Sequence, residues 1–129
     1  MITKAVKLTL LNNLFVVLKN QDSETGFITA IELNASHAVY AGHFPGHPVT
    51  PGVIQMQILH ELLEKHFERS LQLITMARCK FLKILNPLET PQIVLHIEFH
   101  QIDGLLNIKA RGENDKDIFF KIESSFRFK

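Results

Sequence analysis

The chain has no tryptophan, one tyrosine and one cysteine among its 129 residues. The lone cysteine, Cys79, cannot close an internal disulfide. That excludes a cystine-stapled secreted scaffold and suits a reducing compartment. No apolar run reaches the ~18 residues that a membrane span needs, so no membrane role is expected. Charge of one sign is also missing: the formal net charge is +1, without the concentrated basic excess of a general nucleic-acid binder. The start, Met1-Ile2-Thr3-Lys4, lacks the basic, apolar and small-residue succession of a secretory signal, which predicts a cytoplasmic location. Repeats, low-complexity tracts and linkers are absent, and the length suits one domain over residues 1–129 with a real core. Histidines are present, but His60 and His66 lack the spacing of a zinc helix. His96 and His100 fall on one face of a strand, where a polar sheet face is the plainer reading.

Glycine and proline are scarce as well, but they are concentrated. Three of the six glycines and three of the five prolines stand between Gly42 and Val53. Such a stretch cannot be the inside of a helix or a central strand. It predicts a stiff, tightly folded loop. From Val53 to Arg69 neither residue occurs, and good helix formers dominate, which predicts one long helix over about 52–69. Pro51 suits its first turn, where a missing N–H costs nothing, and Thr50 is a reasonable N-cap. The loop thus delivers His43 close to a helix start, where unpaired N–H groups at Gly52 and Val53 can hold developing negative charge. A base beside an anion hole is a catalytic arrangement in outline. The apolar positions of the helix cover much of its circumference, more than the stripe of a surface helix. That predicts a helix wrapped by a sheet.

The rest reads as strands. Leu14–Leu18 follows a short lead-in, and Asn20–Ser23 is a polar turn. Gly26–Leu33 alternates Phe27, Thr29, Ile31 and Leu33 against Ile28, Ala30 and Glu32. After the helix come Leu71–Leu85, Ile93–Ile102, Leu105–Arg111 and Ile118–Phe128, with Asp103-Gly104 as a strong hairpin signal. Two strands, a helix and a run of antiparallel strands make an α+β class.

The run Gly42-His43-Phe44-Pro45-Gly46-x-Pro48-Val49-x-Pro51-Gly52-Val53 resembles the signature of the hot-dog-fold 3-hydroxyacyl-acyl-carrier-protein dehydratases of the FabZ type. Tyr40 stands where that family has an aromatic, and Lys80-Phe81 followed by Pro87 resembles its post-helix strand. The resemblance covers roughly residues 14–128 and is tight over 40–54. It implies a central helix wrapped by an antiparallel sheet, paired as a homodimer or higher oligomer with sites at the subunit interface. It also implies loss of water from a 3-hydroxyacyl thioester to give the trans-2-enoyl thioester, in fatty-acid or related acyl-chain synthesis. The acyl group would arrive on an acyl-carrier protein or coenzyme A, and neither a metal nor an organic cofactor is needed. By the same resemblance His43 takes the α-proton, the N–H groups of Gly52 and Val53 bind the thioester oxygen, and Phe44 lies against substrate.

At the family's acid the sequence departs. The acidic residue falls at Gln57, and the family's glutamine one turn later falls at Glu61, so the two types stand exchanged. A glutamine amide can orient a hydroxyl but cannot give up a proton as a carboxylic acid does. That step is worth ~10²–10⁴-fold. Residues at i and i+4 share a helix face, which makes Glu61 the other candidate for the acid, although a carboxylate there is by default solvated. Two alternatives keep the fold: an acyl thioesterase in which Gln57 or Glu61 positions water, and a non-catalytic acyl-carrier-binding subunit paired with a catalytic homologue. The basic residues Lys65, Arg69, Arg78, Lys80 and Lys83 are the expected rim for an acidic carrier.

Overall fold

The computed structural model describes residues 12–41 and 46–129. Its backbone follows the period-two pattern of the sequence closely in some segments and overruns it in others. β1 is Phe15–Asp22 and β2 is Gly26–Leu33. β1 therefore runs through the residues expected to turn, and the reversal falls at 23–25, closed by Ser23 N–H donating to the Gly26 carbonyl at 2.9 Å. A pairing irregularity between Val17 and Lys19 lets the longer strand keep its contacts with β2. In β2 the expected face is the buried one: Phe27, Thr29, Ile31 and Leu33 are all buried.

β3 (Leu71–Phe81), β4 (Gln92–Ile102), β5 (Leu105–Glu113) and β6 (Ile118–Phe128) complete one antiparallel sheet in the order β1-β2-β4-β5-β6-β3. The Asp103-Gly104 hairpin joins β4 to β5 with both residues at positive φ, 52° and 79°, the geometry of a tight two-residue turn. β3 ends at Phe81, short of the expected Leu85, and Leu85 itself is fully buried beyond it. Across the outer face, Glu98, Lys109, Glu123 and Arg78 lie opposite one another on β4, β5, β6 and β3. Alternating charge on paired strands is favourable and marks this face as the wet one.

The helix α1 spans Gly52–Phe67. It stops two residues before the expected end, because Glu68 turns to the left-handed conformation at φ 54°. Lys65 and His66 in the last turn complement the negative end of the helix dipole. Ile58, Leu59, Leu62 and Leu63 are buried against the sheet, each worth about 1.5–3 kcal/mol of transfer free energy. The helix packs on the sheet as its composition predicts, but its first turns are open on one side. Val53 is 68% exposed, and Ile54 and Met56 are only half-buried. The bare strip faces the same way as β3, an edge strand exposed along most of its length.

Candidate functional site

The helix start is tied down by residues on both sides of the loop. Residues 38–40 form a single 3-10 turn, held because His37 Nδ1 accepts the Val39 N–H at 2.9 Å. The turn places Tyr40 in the core, where its hydroxyl meets Thr50 Oγ1 at 2.8 Å. Burial pushes the Tyr40 phenol above its ordinary pKa, with the Thr50 hydrogen bond partly opposing. Thr50 N–H donates to the Leu85 carbonyl at 2.8 Å, and its own carbonyl accepts Gln55 Nε2 at 2.9 Å. Thr50 is therefore not the helix cap. Pro51 occupies the cap position in extended conformation and, having no side-chain acceptor, makes no cap bond, while the threonine hydroxyl is engaged by Tyr40.

The first helical hydrogen bonds are made by Ile54 and Gln55, whose N–H groups both donate to the Pro51 carbonyl at 3.0 Å. The N–H groups of Gly52 and Val53 stand ahead of that ladder, as helix geometry requires. Gly52 is needed where it is: a Cβ there would come within 2.6 Å of the Phe81 ring. So β3 delivers Phe81 onto the helix N-terminus, and the glycine admits it.

Beside this start lies a cavity of about 100 Å³ lined by Val53, Met56, Gln57, His60, Leu73 and Met76, among others. Gln57 and Glu61 are brought together: Gln57 Nε2 donates to Glu61 Oε2 at 3.2 Å. That bond uses one of the amide's two N–H donors and leaves Oε1 as an acceptor. Glu61 is only 9% exposed and is not part of the cavity wall. The default expectation of a solvated carboxylate therefore fails. His43 and Phe44 lie outside the described residues.

Sequence reasoning passed over three residues here. Gln55 is 3% exposed, and its Oε1 has no partner among the described residues; a glutamine in an apolar run was the available signal. Thr50 reads as a cap in the sequence but serves Tyr40. His60, which has no metal companions in the sequence, lines the cavity. Its Nε2 lies 2.9 Å from the Leu71 carbonyl and 3.3 Å from Glu64 Oε2. Glu64 Oε2 also accepts the Leu71 N–H at 2.7 Å, so two helix side chains satisfy both backbone groups at the start of β3.

The expected basic rim is split. Lys65 and Arg69 are at the far end of the helix, ~20 Å from its start at 1.5 Å per residue. Arg69 is occupied over the Phe128 ring at 4.3 Å. Lys80 follows Arg78 up β3 to the helix start, and Lys83 pairs with Asp117 at 3.1 Å. His96 belongs to the outer polar face, 3.4 Å from Glu113. Cys79 is half-buried, and burial pushes its thiol pKa up. No described helix is long and apolar enough to cross a membrane, and among the described residues no three His, Cys, Asp or Glu side chains gather as a metal site.

Compared with known proteins, residues 19–120 match the model of a family described as ApeI-like, ApeI dehydratase. No characterised protein matches the sequence at a significant level. Among solved structures, the dehydratase heterocomplex ApeI:P from Xenorhabdus doucetiae superposes with a TM-score of 0.71 at 17% identity, covering 87% of this chain and 96% of that one. An uncharacterised protein from Erwinia carotovora superposes at 0.64 with 17% identity, over 90% and 96% of the two chains. A hypothetical thioesterase with coenzyme A from Streptococcus pneumoniae superposes at 0.63 with 8% identity, over 89% and 85%. At such identities the likeness establishes the shared fold, a helix against an antiparallel sheet.

Proposed function

The chain belongs to the ApeI-like dehydratase family, and from that membership we propose that it removes water from a 3-hydroxyacyl thioester to give the trans-2-enoyl thioester, in fatty-acid or related acyl-chain biosynthesis. The observation that carries this reading is the helix start. Two N–H groups, at Gly52 and Val53, stand ahead of the hydrogen-bond ladder beside a cavity walled by Gln57, and a histidine-bearing loop leads into them. Enolisation puts negative charge on the thioester oxygen. Preorganised N–H donors at a helix N-terminus are suited to that charge.

In this reading His43 takes the α-proton, and Phe44 packs on substrate. Gln57 accepts a hydrogen bond from the 3-hydroxyl through Oε1, with Glu61 fixing the amide's orientation from behind. The acyl carrier is an acyl-carrier protein or coenzyme A; the solved thioesterase with coenzyme A gives a precedent in this fold for the second. No metal or organic cofactor takes part. The working unit is a homodimer or larger, in the cytoplasm. An edge strand of eleven residues with Leu73 and Ile74 exposed is an open template for pairing with another chain. Pairing there also covers Val53 and closes the cavity.

The test is direct. Offered a 3-hydroxyacyl thioester, the protein should form the conjugated enoyl thioester without releasing thiol, and His43→Ala should not. Thiol release instead would assign it to the thioesterases. A second reading, a subunit that binds the acyl carrier beside a catalytic homologue, is supported by the sequence resemblance, which aligns Gln57 with that family's acid. The structural relative being a dehydratase heterocomplex is consistent with it. An isolated chain that is inert, but active once mixed with an acid-bearing homologue, would establish that version.

A further inference from the structure

We propose that His60 is the proton donor of the dehydration, protonating the departing hydroxyl in place of the missing carboxylic acid; this rests on the dehydratase reading above. His60 is three residues from Gln57 on the same helix, and both line the cavity beside the helix start. Glu61, the other candidate, is nearly buried, outside the cavity wall, and bonded to the Gln57 amide.

The ring of His60 is held in one setting. Nε2 faces the Leu71 carbonyl at 2.9 Å and Glu64 Oε2 at 3.3 Å. Both are acceptors, so the Nε2 proton is fixed there. Phe126 closes on the ring at 5.1 Å, edge-on. Nδ1 has no partner among the described residues, which makes it the exchanging position: an acceptor in the imidazole and a donor in the imidazolium. The charged groups around the ring come from its own helix, Glu64 in contact and Glu61 adjacent. β3 contributes Leu71, Leu73 and Met76, and β6 contributes Phe126, none of them charged.

The step balances without any co-reactant. His43 takes the α-proton and its electron pair becomes the C=C bond. The C–O bond at C3 breaks, and the His60 Nδ1 proton goes to the leaving oxygen as water. His43 then returns a proton to solvent and His60 regains one.

A substrate whose leaving group needs no proton separates this role from a structural one. On a 3-chloroacyl thioester the same elimination expels chloride, and no acid is required. His60→Gln keeps a side-chain N–H to donate toward the Leu71 carbonyl. It should lose ~10²–10⁴-fold in water elimination and keep chloride elimination near the wild-type rate. His60→Asn should behave alike, with the thermal midpoint of each recorded. Equal losses on both substrates, or no loss on either, would overturn the proposal. The dehydratase reading fails separately: wild type would be idle on both substrates, or His43→Ala would be as active as wild type on both.

Discussion

The two ends of the central helix are built from similar residues and put to different use. At the C-terminal end the apolar and aromatic side chains are spent on packing. His66 lies flat on Phe27, with ring centroids 4.4 Å apart and planes 8° apart, and Phe67 meets Phe99 and Phe128 edge-on at 4.9 and 5.4 Å. Leu63 is fully buried. At the N-terminal end Val53 stands in the open and Gln57 and His60 look into a cavity. The lesson is a division of labour along sixteen residues. The last turn is held by stacked rings, while an amide and an imidazole nearer the start stand on a cavity wall.

The strongest way to break this comparison is to substitute one residue from each end and measure both properties. His43→Ala, at the loop entering the N-terminal end, should cut turnover by at least ~10²-fold, the low end for losing a general base, while the unfolding free energy barely moves. Leu63→Ala should do the reverse in kind, costing about 2–5 kcal/mol in denaturant melts with activity retained in the folded fraction. A His43 variant that unfolds would erase the division.

Two glycines sharpen it. Added Cβ atoms at Gly52 and Gly112 meet the rings of Phe81 and Phe120 at 2.6 and 2.3 Å. Phe120 is 1% exposed and cannot move aside, so Gly112→Ala should cost about 1–3 kcal/mol, as overpacking does. Phe81 is 44% exposed and free to swing out. Gly52→Ala should therefore leave the melt nearly unchanged and lower turnover, because the ring shifts over the helix start.

Tyr40→Phe removes the bond to Thr50, worth about 0.5–1.5 kcal/mol. It also tests a sign. The folded pKa of Tyr40 is raised by burial, so the unfolded chain ionises first. Stability is fully present below the unfolded value, about 10, and is lost as pH rises through the folded one. The chain has one tyrosine, so tyrosinate absorbance reports this residue alone, and Tyr40→Phe should flatten the alkaline decline. The smallest effect belongs to Val53→Ala: at 68% exposure its unfolding free energy should stay within about 0.5 kcal/mol. Sedimentation of the same variant should show weakened self-association.

Much of the fold was legible because alternation and turn chemistry act locally. Gly26–Leu33 and Ile118–Phe128 are strands with the expected bounds, and the Asp103-Gly104 turn is where its dipeptide demands. The strand ends that moved, at Asp22 and Phe81, depend on partner strands rather than on their own residues. In the site, the i and i+4 spacing of Gln57 and Glu61 already put the two on one helix face, where they bond. The burial of Glu61 did not follow, because exposure on a helix depends on what packs over each face.

By itself the sequence determined the α+β class, the strand alternation and the long helix. These follow from backbone sterics and short-range periodicity, which no distant contact has to supply. Only the tertiary structure decided that Thr50 would serve Tyr40 instead of capping the helix. Only there do His60 and Glu64 clasp the start of β3, and Phe81 fold onto Gly52. Each joins residues at least seven positions apart in the chain, and such contacts form only once the sheet has fixed where β3 returns along the helix.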